Sequence, residues 1–126
     1  MTPTLSDSDF RFPGQLEKYS GKVRDVYNIA EQFLVLVASD RISAFDHILP
    51  RAIPHKGQVL TQTSGHFFSK VTDICPTHVI ATPDPNVVIA RKCRPILIEV
   101  VVRAYLAGHA WRTYQSGKRE LCGVPL

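Results

Sequence analysis

No stretch of this sequence is apolar for long enough to cross a bilayer. The longest apolar runs, Phe33 to Ala38 and (broken only by Glu99) Ile96 to Val102, are strand-length, whereas a membrane helix needs about 20 residues. The first ten residues carry acids and no apolar run, so no secretory leader is expected. Cysteine is scarce. Cys75, Cys93 and Cys122 are odd in number and far apart, which argues against a disulfide framework or a CxxC zinc or redox site and fits reduced thiols in a cytoplasmic protein. Lys and Arg number 15 against 11 acids, but they are scattered singly. Without a basic run or an aromatic platform, a nucleic-acid partner is the weakest reading, and the mild positive charge suits small anionic ligands. His47, His66 and His78 show no metal-ligand spacing with cysteines or acids. There is no internal repeat, no low-complexity tract and no nucleophile triad that the sequence can defend.

What remains is an ordinary globular composition. The chain has 126 residues, 44% apolar and 21% charged, enough for one domain with its own core. Residues 1–13 are polar and read as a loose arm. Val23 to Ile29 is rich in β-branched and aromatic residues, and Phe33 to Ser39 is a continuous apolar run; the two predict an antiparallel hairpin. Residues 40–57 read as loop. Leu60, Phe67, Phe68, Val71 and Ile74 then recur at helical spacing, predicting a helix that Pro76 ends. Thr77 to Thr82 and Val87 to Lys92 predict a strand pair, Ile96 to Leu106 a further strand, and Gly108 to Ser116 a helix stopped by Gly117. This order predicts an α+β fold, an antiparallel sheet with a packed helix.

Four segments carry chemistry. In Gly21-Lys22-Val23-Arg24 a glycine precedes a strand whose alternation puts Lys22 and Arg24 on one face, where ammonium and guanidinium groups suit a polyphosphate. Alone, this reads more readily as a turn glycine beside surface cations. Ser39-Asp40-Arg41-Ile42-Ser43-Ala44-Phe45-Asp46 crowds carboxylates, a guanidinium and hydroxyls into a loop after a buried strand, a common place for a site; an Asx-turn with a local Asp–Arg pair explains it as well. Lys56-Gly57 leads into the first helix, whose N-terminus suits an anion or is simply a helix start. Finally Glu99, Val101, Arg103 and Tyr105 share a face at a period of two, and Gly108-His109 opens the second helix. A structural Glu–Arg pair is the plain alternative there. Trp111 and Tyr114 read as core.

Taken together, these segments resemble the N-terminal part of the phosphoribosylaminoimidazole-succinocarboxamide synthase (SAICAR synthetase) family. The matching stretches are Gly21 to Tyr27, Ser39 to Asp46, Lys56-Gly57 with Leu60-Thr61, and Ile98 to Arg103 followed by Ala107-Gly108. The resemblance implies the N-terminal, ATP-binding lobe of an ATP-grasp or kinase-like fold, with the second lobe missing. It divides the chain into an arm over 1–18, the ATP-binding lobe over 19–106 and a truncated start of the second lobe over 107–126. It implies a carbon–nitrogen ligase of de novo purine biosynthesis, joining L-aspartate to 5-amino-1-(5-phospho-D-ribosyl)imidazole-4-carboxylate at the expense of ATP, with Mg2+ whose ligands lie in the other lobe. Gly21, Lys22, Arg24 and Glu99 would meet ATP, with the Arg91–Glu99 segment as the hinge that holds adenine. Ser43, Asp46, Lys56, Arg103 and His109 would line the imidazole nucleotide's side. No residue is assigned as catalytic and none as a metal ligand.

This sequence departs from the family pattern at two positions. Leu97 stands where the family has proline, and His109 where it has a serine expected to touch substrate; imidazole still donates a hydrogen bond but is larger and titratable. The family's second signature, Asp-x-Lys-x-Glu-Phe-Gly, does not occur in the 126 residues. The expectation is therefore an N-terminal piece of the ligase, inactive alone, with a stand-alone nucleotide-binding module as the alternative.

Overall fold

The computed structural model describes residues 2–98 and 100–126, and the chain divides into two units, Met1–Arg94 and Pro95–Leu126. The first is built on an antiparallel sheet of five strands: β1 (Gln15–Ser20), β2 (Arg24–Ile29), β3 (Phe33–Ala38), β6 (Val79–Asp84) and β7 (Val87–Arg91), ordered β1-β2-β3-β7-β6. A short hairpin, β4 (Ser43–Ala44) with β5 (His47–Ile48), and helix α1 (Lys56–Lys70) lie between β3 and β6. The second unit holds α2 (Gly108–Gln115) and a small hairpin, β8 (Glu120–Leu121) with β9 (Val124–Pro125). The expected α+β class is thus what the chain adopts. No helix among the described residues is long and apolar enough to cross a membrane.

The core follows from strand alternation. Tyr27 pairs with Val35 and Asp25 with Val37, while Val35 and Val37 face Ile89 and Val87 across the next ladder. One face therefore carries Asp25, Tyr27, Val35, Val37, Val87 and Ile89. The stretch read as a loose arm covers that face. Leu5 and Phe12 pack on Tyr27, Val35 and Val37, and the Phe12 ring meets Tyr27 edge-on at 5.3 Å. Its polar groups are fastened as well, through the Ser8 N–H and hydroxyl and the Leu5 N–H, so the arm is the second layer of the core. β1, just beyond that stretch, went unpredicted because Gln-Leu-Glu-Lys-Tyr-Ser has no apolar alternation. It pairs on one side only and leaves most of its residues exposed.

The β2–β3 hairpin and the β6–β7 pair match the predicted strands. So does α2, which ends at Gln115, capped by Ser116, with Gly117 at φ 89°, the left-handed conformation that stops helices. Two expectations are corrected. Residues 96–106 form no strand among the described residues. Ile96, Leu97 and Val102 are almost fully exposed, and a β-prone run without a sheet neighbour has nothing to pair with. The first helix begins four residues earlier than its apolar stripe and ends at Lys70, where Val71 leaves helical geometry and turns run on to Cys75.

Gly57 fixes how α1 meets β3. A Cβ there would press on the Ala38 carbonyl oxygen and lie 2.6 Å from Asn86 Nδ2. Asn86 is itself committed, donating from Nδ2 to that carbonyl at 2.8 Å. Gly57→Ala would gain about 1 kcal/mol of helix propensity, but overpacking against backbone costs about 1–3 kcal/mol, and here the clashing atom cannot rotate away. We expect Gly57→Ala to lower the unfolding free energy by about 2 kcal/mol, read as an earlier urea midpoint at unchanged slope. An unshifted midpoint would contradict this packing.

Candidate functional site

The turn joining β1 to β2 is Gly21-Lys22-Val23. Gly21 donates its N–H to the Arg24 carbonyl at 2.8 Å. A Cβ on Gly21 would fall 3.1 Å from that carbonyl oxygen and 3.3 Å from the Tyr19 ring, so a side chain here would press on the turn's own atoms. Behind the turn lies Asp25, whose side chain is 1% exposed. Its Oδ2 accepts from the Ser8 N–H at 3.0 Å and the Ser8 hydroxyl at 2.7 Å, and its Oδ1 accepts from Arg41 Nη2 at 2.8 Å. Lys18 Nζ stands 3.7 Å from the same carboxylate. Burial alone would raise the Asp25 pKa, but the hydrogen bonds from Arg41 and Ser8 outweigh it and hold the carboxyl at about 2 instead of the ordinary 3.8.

Arg41 reaches further. Its Nη2 also donates to the Gly21 carbonyl at 2.8 Å, its Nε to the Lys22 carbonyl at 3.4 Å, and its Nη1 to the Ser6 carbonyl at 2.5 Å. The local Asp40–Arg41 pair suggested by adjacency is not what forms. Arg41 serves Asp25, sixteen positions back. Asp40 instead accepts the Leu5 N–H at 2.9 Å on Oδ2 and the Gly57 N–H at 2.9 Å on Oδ1. The anion expected at the start of α1 is therefore Asp40 itself, placed where the free N–H groups and the dipole favour negative charge. This role is reached from β3's end, and the sequence carries no local signal for it. His55, at the helix entrance, takes a left-handed φ of 64° and makes no side-chain cap. Lys56, expected on the imidazole nucleotide's side, is the first residue of α1 and half-buried.

Lys22 and Asp46, assigned by sequence to different substrates, are brought together: Nζ and Oδ1 are 2.7 Å apart, with both side chains largely exposed. The pairing raises the Lys22 pKa and lowers that of Asp46. Asp46 is presented by the β4–β5 turn, where Phe45 and Asp46 have φ 48° and 66° and Ser43 pairs with Ile48. Lys22 precedes β2, so its ammonium turns to Asp46, while Arg24 begins the strand on the face opposite Asp25. There Arg24, Val23, Leu36, Ala38, Ser39 and Val88 wall a cavity of about 180 Å³ that α1 closes with Leu60, Thr61, Ser64 and Phe68. The Ser39 hydroxyl is buried and, among the described residues, has no hydrogen-bond partner; the sequence placed it in the Ser39–Asp46 segment without assigning it a role.

In the second unit, Arg103 lies over the start of α2. A Cβ built on Gly108, at φ 59°, would be 3.8–3.9 Å from its guanidinium. Arg103 and His109 are thereby gathered at one helix entrance. Trp111 and Tyr114, expected in a core, stack on one another at 6.0 Å with the Arg119 guanidinium 3.9 Å from the Tyr114 ring centre, and α2 has no buried residue. Glu99 lies outside the described residues. Among those that are described, no group of three or more His, Cys, Asp and Glu could hold a metal ion.

Comparison with known proteins makes the class of this five-stranded antiparallel sheet with its cation-bearing glycine turn specific. The family model for SAICAR synthetase matches residues 17–124. The chain is 57% identical over 122 residues to the phosphoribosylaminoimidazole-succinocarboxamide synthase of Bacteroides thetaiotaomicron, covering 97% of this chain and 39% of that protein. It is 51% identical over 123 residues to the synthase of the same name from Flavobacterium psychrophilum, again 39% of it. Among solved structures, the SAICAR synthase of Saccharomyces cerevisiae complexed with SAICAR superposes with a TM-score of 0.79 at 28% identity, covering 94% of this chain and 47% of that one. A type-2 SAICAR synthetase in complex with ADP gives 0.68 at 28% identity over 87% of this chain and 46% of its own. This chain belongs to the SAICAR synthetase family. It spans 39% of the length of those two curated relatives and under half of those two solved chains.

The buried Asp25 makes stability depend on pH. Its folded pKa lies below the ordinary value, so its contribution is complete above pH about 3.8 and is lost as pH falls towards 2. The shift corresponds to roughly 2 kcal/mol at neutral pH. We expect the unfolding free energy to drop steeply between pH 4 and 2, and Asp25→Asn to be less stable at pH 7 with a flatter acid limb. Acid limbs of equal slope would show that Asp25 is not the titrating group.

Proposed function

We propose that this chain supplies the nucleotide-facing part of an ATP-dependent ligase that joins L-aspartate to 5-amino-1-(5-phospho-D-ribosyl)imidazole-4-carboxylate. In this reading residues 19–106 form the ATP-binding lobe, residues 107–126 begin a second lobe, and the Arg91–Glu99 segment is the hinge beside adenine. The observation that carries it is the 57% identity, over 97% of this chain, to a phosphoribosylaminoimidazole-succinocarboxamide synthase. The ADP-bound synthetase of similar fold supports the nucleotide. The setting is cytoplasmic and the partners are the three small anions, consistent with three free cysteines.

The chemistry demands placement more than covalent help. The imidazole carboxylate oxygen attacks the γ-phosphorus of ATP and ADP leaves. The aspartate amine then attacks the acyl carbon, loses a proton, and phosphate leaves. Lys22 and Arg24 bring positive charge to the phosphates, the ammonium exchanging its Asp46 partner for them. Arg103 donates to an anionic group of the imidazole nucleotide beside His109, and Ser43, Asp46 and Lys56 are the residues of the first unit assigned to the same substrate. The described acids form no cation cluster, so these residues do not by themselves fit a magnesium cage, and no step is routed through one.

Two measurements test this. Millimolar Mg-ATP is expected to raise the melting temperature of the 126-residue chain; no shift would remove the nucleotide reading. A chimera in which this chain replaces the matching 122 residues of the Bacteroides relative is expected to form the succinocarboxamide, whereas the chain alone makes none. In the chimera Arg103→Ala should lower kcat/KM for the imidazole nucleotide by about 10- to 100-fold, the worth of a charged hydrogen bond. A folded but inert chimera would overturn the ligase assignment.

A further inference from the structure

We infer that Arg41 is a positioning residue that aims the backbone of the Gly21–Val23 turn at the phosphates of ATP. The inference rests on the nucleotide reading above and goes beyond it. That reading gives the turn its charge through Lys22 and Arg24 and leaves its backbone without a role.

The argument is geometric. One guanidinium, only 13% exposed, accepts no freedom at its far end, because Nη2 is held by Asp25 Oδ1 at 2.8 Å. From that fixed position it takes the two carbonyls on either side of the Lys22 α-carbon, Gly21 O at 2.8 Å and Lys22 O at 3.4 Å. In a trans peptide the N–H points opposite to the C=O of the same plane, and this chain has no cis bonds among its described residues. Drawing the Gly21 and Lys22 carbonyls onto Arg41 therefore turns the N–H groups of Lys22 and Val23 away from it. Neither N–H has a hydrogen-bond partner among the described residues. Two successive free N–H groups facing one way form a concave anion site, next to the Lys22 ammonium. A guanidinium suits this task where an ammonium does not. It is a rigid planar fork that donates to Asp25 and both carbonyls at once, whereas Lys is a single point donor on a flexible stem. Arg41 itself touches no phosphate in this scheme. Its charge is already answered by Asp25, and its whole effect passes through the turn.

The test is a nitrogen-15 NMR titration of the 126-residue chain with Mg-ATP and, separately, with adenosine, for the wild type, Arg41→Ala and Arg41→Lys. Arg41→Lys keeps the charge opposite Asp25 and so keeps the fold even if Arg41→Ala does not. In the wild type, Mg-ATP should shift the Lys22 and Val23 amide signals most. Arg41→Lys should weaken Mg-ATP at least 10-fold and abolish those two shifts, with adenosine affinity changed less than twofold. A loss that falls equally on both ligands would mark a general structural role, and wild-type Mg-ATP affinity in Arg41→Lys would show that the fork is not needed; either result overturns the inference. If the wild type binds adenosine and Mg-ATP equally well, with no shift at the two amides, the phosphates do not sit on this turn and the inference fails while nucleotide binding stands. If it binds neither, the nucleotide reading fails first and takes this inference with it.

Discussion

The carboxylate of Asp25 is the interaction on which the first unit turns. It sits on the core face of the central sheet, 1% exposed, where an unpartnered charge would be very costly. Its two oxygens together accept three hydrogen bonds, from the Ser8 N–H, the Ser8 hydroxyl and Arg41. Each donor belongs to a different problem. Ser8 brings the N-terminal stretch across the sheet, so that Phe12 and Leu5 reach Tyr27, Val35 and Val37. Arg41 brings the chain leaving β3 back over the β1–β2 turn. Removing Asp25 alone would strand the Arg41 guanidinium, whereas replacing the pair together by well-packed apolar residues could leave a sheet of similar stability. Neither change would leave the same arrangement of arm, turn and loop.

Asp40 repeats the device just beyond the same end of β3, where Asp25 pairs with Val37. It joins the arm through the Leu5 N–H and α1 through the Gly57 N–H, and Gly57 can approach only because it has no Cβ. The two carboxylates flank the turn's surroundings and make its position a consequence of the core. Loops placed in this way are rigid enough to carry chemistry without being part of regular structure. The helix they help to seat is otherwise loosely held: Gly57 is its one buried residue, and a cavity remains between it and the sheet.

Much of this was legible in the sequence where the signal is local. The apolar run of β3, the β6–β7 hairpin and the glycine stop of α2 depend on neighbours within a few residues. β1 was not legible because an edge strand with a polar sequence has no pattern that separates it from a loop. The segment 96–106 failed in the opposite direction. Its β-branched run predicts a strand, but strand propensity describes a fit to a half-buried surface, and Ile96, Leu97 and Val102 have none here. Of the site, the residue types were readable and their partners were not. Asp40 and Arg41 are adjacent and opposite in charge, so adjacency suggested a pair, whereas each answers a group brought in by the fold from elsewhere.

The Lys22–Asp46 contact shows how such a site stays usable. Two residues expected to serve different substrates hold each other at 2.7 Å, both largely in solvent. An exposed pair of this kind contributes about 0–1 kcal/mol and is weakened by salt. On the proposed nucleotide reading, a polyphosphate carries more negative charge than one carboxylate and offers Lys22 the stronger bond. The contact is therefore cheap to break by the ligand that needs the lysine, and breaking it releases the Asp46 carboxylate at the same moment. The Asp25–Arg41 pair, buried and fully hydrogen-bonded, has no such alternative partner. Strong buried bonds fix the turn's backbone, a weak exposed one parks its side chain, and that division of strength lets one segment be rigid in frame and free at its tip.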